Sequence, residues 1–114
     1  MAASFGYAFE GFAAAWRTQR NLRIHGALTV AVVAAGIILR FGPLSWALVA
    51  LAIALLVTAE LLNTALEAVV DLVSPEEHPL AKRAKDIAAA GVLVASLGAA
   101  AAGAIVLWMH LAGR

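Results

Sequence analysis

Four polar residues interrupt a long apolar stretch of this chain. Glu60, Asn63, Glu67 and Asp71 stand at i, i+3, i+7 and i+11. At 3.6 residues per turn that spacing lines one face of a helix. The run leading into them starts at Leu44 and has roughly the 20 residues a bilayer crossing needs. Glu60 is therefore expected just inside the hydrocarbon boundary, with Glu67 roughly 10 Å further along the axis, among the headgroups. An ionisable side chain at such a depth is costly and marks a functional site by default. A polar seam that only ties helices together is the competing account, but four such residues on one stripe favour chemistry.

A second cluster, Lys82-Arg83-Ala84-Lys85-Asp86, opens the next apolar run on the same side of the membrane. Lysine is a point-charge partner for phosphate, and the free N–H groups of a helix start add to the attraction. Anchoring by positive charge accounts for Lys82 and Arg83. It does not account for Asp86, an acid set against an apolar span. Carboxylates and an amide beside a basic helix start suit magnesium-dependent phosphoryl transfer, in which a carboxylate orients or deprotonates an attacking hydroxyl. The depth of Glu60 implies an acceptor that lives in the membrane. Neither G-x-x-x-x-G-K-[ST] nor G-x-G-x-x-G occurs, which weighs against the ordinary kinase folds. Cysteine is absent, so disulfide and thiolate chemistry are excluded.

The elements that must position these residues follow from composition. Of 114 residues, 64% are hydrophobic and 13% charged, and the mean hydropathy is +0.94. A soluble domain carries roughly 25% charged residues, so the bilayer is the expected solvent. The fold class read from this is an all-α membrane protein forming a single domain over 1–114. It has three transmembrane helices, at about 22–40, 44–73 and 86–111, after an N-terminal amphipathic surface helix at about 1–20. Phe5, Phe9, Phe12 and Trp16 recur at helical spacing ahead of Arg17, Arg20 and Arg23, which suits a helix lying in the membrane interface. A soluble amphipathic helix packed on a partner is the alternative for that segment. The third span is rich in Ala and Gly, which permits close helix approach. In the segment 74–79, two prolines are read as ending helices. Six basic residues fall on the side of the N-terminus and the 74–79 loop, against two on the other, which places the N-terminus in the cytoplasm. A net charge of +1 offers no case for nucleic acid. His25 and His110 are read as interface residues rather than ligands.

The run from Glu60 to Asp71, followed by His78-Pro-Leu-Ala-Lys-Arg-Ala-Lys85-Asp86, resembles the signature of prokaryotic diacylglycerol and undecaprenol kinases. Upstream, Tyr7-Ala-Phe-Glu-Gly11 and Arg20-Asn21-Leu-Arg23-Ile-His25 also match, so the resemblance covers nearly the whole chain. It implies a homotrimeric phosphotransferase with an alcohol acceptor in the cytoplasmic (inner) membrane. Its sites would form between subunits, with ATP as donor and Mg2+ as cofactor. By the same resemblance Glu60 is the catalytic base, supported by Asn63. Glu67 and Gln19 stand at the metal positions. Lys85, Asp86, Tyr7, Glu76, Glu77 and His78 contact the nucleotide. Trp16, Asn21, Arg23, Glu60 and Trp108 fall where the family holds the lipid. Two residues depart from the pattern: Gln19 stands where a glutamate is usual, and Glu10 where a lysine is usual. Glutamine keeps a carbonyl oxygen but loses the charge, so weaker magnesium use is expected. Glu10 is not expected to substitute, because in one straight helix it lies on the opposite face from position 19. Arg23-Ile-His25 and His78-Pro79-Leu80-Ala81-Lys82 look more like the undecaprenol branch, which makes undecaprenol the expected acceptor and diacylglycerol the alternative.

Two other classes compete. In a small oligomeric transporter Glu60 would be an ion site, but the stripe continues to Glu67 and Asp71 beyond the hydrocarbon, and no inverted repeat is visible. A non-catalytic assembly subunit leaves the set Glu60, Asn63, Glu67 and Asp86 unexplained.

Overall fold

A computed structural model describes residues 2–113 and contains four helices: α1 (Ala2–Thr18), α2 (Arg20–Leu39), α3 (Pro43–Val73) and α4 (Pro79–Ala112). The described residues include no strand. The last three helices are long and apolar enough to cross a membrane, with mean hydropathy of 2.0, 2.2 and 2.2 over their most apolar windows. Large apolar side chains along them are exposed, among them Val30 (70%), Ile38 (78%), Leu51 (69%) and Val94 (69%). In water such a surface would aggregate; against lipid tails it carries no penalty.

Local chemistry sets the helix ends. α2 stops at Arg40, whose left-handed backbone (φ 57°, ψ 59°) turns the chain. The Arg40 N–H donates to the Ile37 carbonyl and the Phe41 N–H to the Gly36 carbonyl, which satisfies two orphan carbonyls of the last turn. Pro43 then starts α3, and Pro79 starts α4. The sequence reading took both loop prolines as helix-ending, yet Pro79 is a helix start. A proline at the first position lacks an N–H that would have no partner anyway, and its fixed φ already suits the helix. The His78 imidazole Nδ1 caps this start by accepting from the Leu80 N–H at 3.1 Å. α4 consequently begins ahead of the expected span at 86–111, so Lys82 and Lys85 lie on its opening turns together with Asp86.

The helices differ in length, and this positions the site. At 1.5 Å per residue α2 is roughly 30 Å long, whereas α3 and α4 approach 50 Å. The tight turn at residues 40–42 brings α2 and α3 level at one end. α3 and α4, the most extensively packed pair, therefore run past the start of α2 at the other end as a two-helix arm. Asn63, Glu67, Asp71 and the Lys82–Asp86 cluster all lie on this arm.

The other end holds the best-packed cluster. Phe41, Val49 and Val106 are buried there, with Val32, Leu39, Trp46, Ile53 and Leu107 packed around them. Phe41 meets the edge of Trp46 at 5.4 Å and tilts against His110 at 4.5 Å, so α4 closes onto the α2–α3 turn. Glycine is required beneath the two aromatics: a Cβ on Gly36 would sit 2.5 Å from Trp46 Cη2 and 2.8 Å from Phe41 Cδ2. Gly36→Leu is expected to destabilise the folded protein by about 1–3 kcal/mol through overpacking. Gly42→Ala, which meets nothing within 4 Å, is expected to be near neutral. Thermal unfolding of both variants in detergent checks the contrast.

Candidate active site

The chain break between α1 and α2 is one residue wide. Gln19 adopts an extended conformation (φ −112°, ψ 108°) as the residue before α2, and its side chain makes no capping hydrogen bond. α1 ends at Thr18, so position 19 lies outside that helix. The straight-helix comparison between Glu10 and residue 19 therefore does not describe the real junction. Arg23 stabilises the junction instead: its Nη1 donates to the Trp16 carbonyl at 2.8 Å and the Arg17 carbonyl at 3.1 Å. A guanidinium on the last carbonyls of α1 satisfies orphan acceptors and complements the helix dipole. Trp16 lies over Gly26 of α2, so close that a Cβ there would fall 2.6 Å from the indole. Trp16 also stacks with Phe12 at 6.3 Å. Arg23 and Trp16 thus meet at the elbow of α1 and α2, while Asn21 is exposed beside them.

Glu60 is the most buried polar side chain described, with 3% of the residue exposed. It sits on α3 at the level where α2 begins, and its Oε1 is 3.2 Å from His25 Nε2 on α2. One turn further out, Asn63 Nδ2 donates to Glu67 Oε1 at 2.9 Å. Asn63 Oδ1 is buried and accepts no hydrogen bond from the described residues. Beyond that, Lys85 Nζ of α4 donates to Asp71 Oδ1 of α3, closing the arm. This hydrogen bond holds the Lys85 pKa above the ordinary lysine value. Lys82 is raised likewise by its 2.7 Å hydrogen bond to Asp86, one turn along α4. Both lysines therefore stay cationic far above neutral pH.

The stripe thus divides into three levels: the Glu60–His25 pair across α2 and α3, the Asn63–Glu67 pair within α3, and the Asp71–Lys85 pair across α3 and α4. At the tip, Asp71, Glu76, Glu77, His78, Lys82 and Lys85 are among the residues bordering an open cavity of about 700 Å³. Ser74 Oγ donates to the Glu76 carbonyl and shapes the turn. Asp86 and Tyr7 do not line this cavity; Tyr7 is 71% exposed on α1. Trp108 lies toward the far end of α4 and is also 71% exposed. At roughly 20 Å along the axis from the level of Glu60, it is not brought to the other lipid candidates within one chain. No group of three or more His, Cys, Asp or Glu that could hold a metal occurs among the described residues. The contact of His25 with Glu60 was missed in the sequence. The available signal was that both are polar residues just inside the same boundary on consecutive spans.

Comparison with known proteins gives the family of the chain. The family model for prokaryotic diacylglycerol kinase matches residues 6–107. The chain is 48% identical to a diacylglycerol kinase of Synechocystis over 91% of its own length and 60% of that relative's. It is 42% identical to an undecaprenol kinase of Bacillus subtilis, over 80% of this chain and 74% of the relative. It is 35% identical to a diacylglycerol kinase of Escherichia coli, over 92% and 86%. The chain thus spans about three fifths of the Synechocystis protein, but most of the other two.

The elbow is testable by itself. Arg23→Ala removes both bonds to the end of α1 and should cost about 1–3 kcal/mol of local stability. Amide exchange at residues 18–20 should quicken while exchange in the α3–α4 core stays unchanged.

Proposed function

The chain belongs to the prokaryotic diacylglycerol kinase family, and from that premise we propose that it is an inner-membrane lipid kinase transferring the γ-phosphate of ATP to a lipid hydroxyl. The observation that carries this reading is the two-helix arm. It has a buried carboxylate at its base, where a membrane lipid can reach, and a lysine-edged cavity at its tip, where a nucleotide can enter from water. The phosphate chain of ATP runs between them along the stripe, past Glu67 and Asn63. Lys85 meets phosphate as a point charge, and Glu76, Glu77 and His78 border the space left for the rest of the nucleotide. Asp86 and Tyr7 complete the nucleotide site in this reading. Arg23, Asn21 and Trp16 at the elbow hold the lipid head beside Glu60. Trp108 joins them from another subunit of a homotrimer, since it is remote within one chain. The basic residues around the elbow and the start of α4 support a cytoplasmic side for the N-terminus and the site.

In the transfer the lipid oxygen attacks the γ-phosphorus as its proton passes to Glu60. The bond from that phosphorus to the bridging oxygen breaks and ADP leaves. Asn63 braces Glu67 and keeps the stripe in register. Magnesium suits the residues present: Glu67 offers a carboxylate, and the unpartnered Asn63 Oδ1 offers a neutral oxygen beside it. Magnesium takes few protein ligands when phosphates and water supply the rest, so these oxygens suffice, with the Gln19 carbonyl as a further, uncharged candidate. When bound, the ion neutralises charge on the transferring phosphates.

Undecaprenol is the acceptor favoured here, on Arg23-Ile-His25 and on His78-Pro79-Leu80-Ala81-Lys82. Diacylglycerol is the second reading, since relatives of both names match the chain. A transporter with Glu60 as ion site is not favoured, because the matched relatives are named as kinases.

Purified protein in detergent with γ-labelled ATP, given each lipid separately, is expected to label undecaprenol more than diacylglycerol. Glu60→Gln should lower the rate by about 10²–10⁴-fold, the range of a general base. Label appearing in neither lipid would overturn the kinase reading. Gln19→Glu should lower the magnesium concentration giving half-maximal rate, by about tenfold for one added carboxylate ligand; an unchanged magnesium dependence would remove residue 19 from the metal site.

A further inference from the structure

We propose that His25 is a positioning residue for Glu60: its Nε2–H donates to Glu60 Oε1 and leaves the other carboxylate oxygen to receive the proton of the lipid hydroxyl. This rests on the lipid-kinase reading and adds a residue on a different helix to it. The distance between the two atoms is 3.2 Å, and only 17% of the histidine and 4% of the glutamate side chain are exposed. A carboxylate in apolar surroundings needs a partner, or its desolvation goes uncompensated. The side-chain hydrogen bond that Glu60 makes goes to Oε1, so the second oxygen remains for substrate.

Contacts within α1 and α2 surround the backbone that carries the ring. Trp16 lies against Gly26, the next residue, where a Cβ would fall 2.6 Å from the indole. Thr29 Oγ1 donates to the His25 carbonyl at 2.8 Å, one turn along. His25 Nδ1 is buried and has no hydrogen-bond partner among the described residues. With Nε2 alone bonded, and bonded to a carboxylate, the tautomer carrying its proton on Nε2 is selected. His25 also caps one end of an apolar groove of about 520 Å³ between α2, α3 and α4, with Leu28, Val57 and Ser96. Glu60 itself does not line that groove; the histidine stands between the groove and the carboxylate. A general base works only within hydrogen-bond reach of the proton it takes, so fixing its free oxygen matters to the chemical step more than to binding.

The test combines substitution with a measurement that needs no turnover. His25→Leu removes the donor; His25→Gln keeps an N–H of similar reach. In the detergent assay His25→Leu is expected to lower kcat by about 10- to 100-fold while the KM for ATP stays within about twofold, the pattern of an interaction made at the chemical step. His25→Gln should recover most of that loss. Folding of both variants is checked by helical circular dichroism and elution volume. Separately, ¹⁵N shifts of the His25 imidazole should report a proton on Nε2 in the wild-type protein and a mixture of tautomers in Glu60→Ala. Wild-type kcat in folded His25→Leu, or equal loss in both folded variants, would overturn the positioning role. So would a His25 tautomer indifferent to Glu60→Ala. If the wild-type protein labels no lipid while the imidazole still responds to Glu60→Ala, the pair stands and the kinase reading is what fails.

Discussion

A hydrocarbon layer about 30 Å thick is matched by α2 and overrun by α3 and α4. That mismatch organises the molecule. The turn at Arg40–Gly42 pins α2 and α3 together at one face of the membrane, so all the excess length appears at the other. A protein with three equal spans would have loops there. This one has a two-helix arm, held together because α3 and α4 continue to pack along it, with Lys85 and Asp71 bridging them at the tip. The arm turns a linear spacing in sequence into a graded path from lipid to water.

Charge is distributed along that path according to what each level can tolerate. At the base, where water is scarce, the carboxylate of Glu60 is paired with an imidazole and almost fully covered. In the middle, Glu67 is held by an amide, a neutral partner that leaves its negative charge available to a cation. At the tip, acids and lysines are exposed and paired in solvent, where such pairs add little stability but define an electrostatic surface. A gradient from covered to solvated charge suits the proposed transfer from a water-soluble triphosphate to a lipid alcohol.

The elbow complements this arrangement. α1 is not a continuation of α2, because Gln19 breaks the helix and Arg23 ties the broken end down. Trp16 then rests on Gly26, next to His25. The aromatic face of α1 thereby meets α2 one residue from the histidine that touches Glu60. The apolar cluster at the far end keeps α2 and α4 on α3, without which the His25–Glu60 contact would have no fixed geometry.

Much of this was legible from residues alone. Three apolar spans, an amphipathic first helix and the stripe from Glu60 to Asp71 follow from helical periodicity and from the cost of charge in a bilayer, which are local properties of consecutive residues. Other features depend on pairings between distant segments, which periodicity does not encode. The role of Pro79 as a helix start depends on where the neighbouring chain turns. At the break at Gln19, Arg23 reaches back to α1 carbonyls across the junction. The partner of Glu60 depends on α2 and α3 being level, which the turn at Arg40–Gly42 and the aromatic packing over Gly36 establish. The sequence by itself determined which polar residues share a helix face and how far apart they lie along it, because helix rise and turn are constants. Only the tertiary structure decided which of those charges face each other, because that depends on how helices of unequal length are aligned at one end.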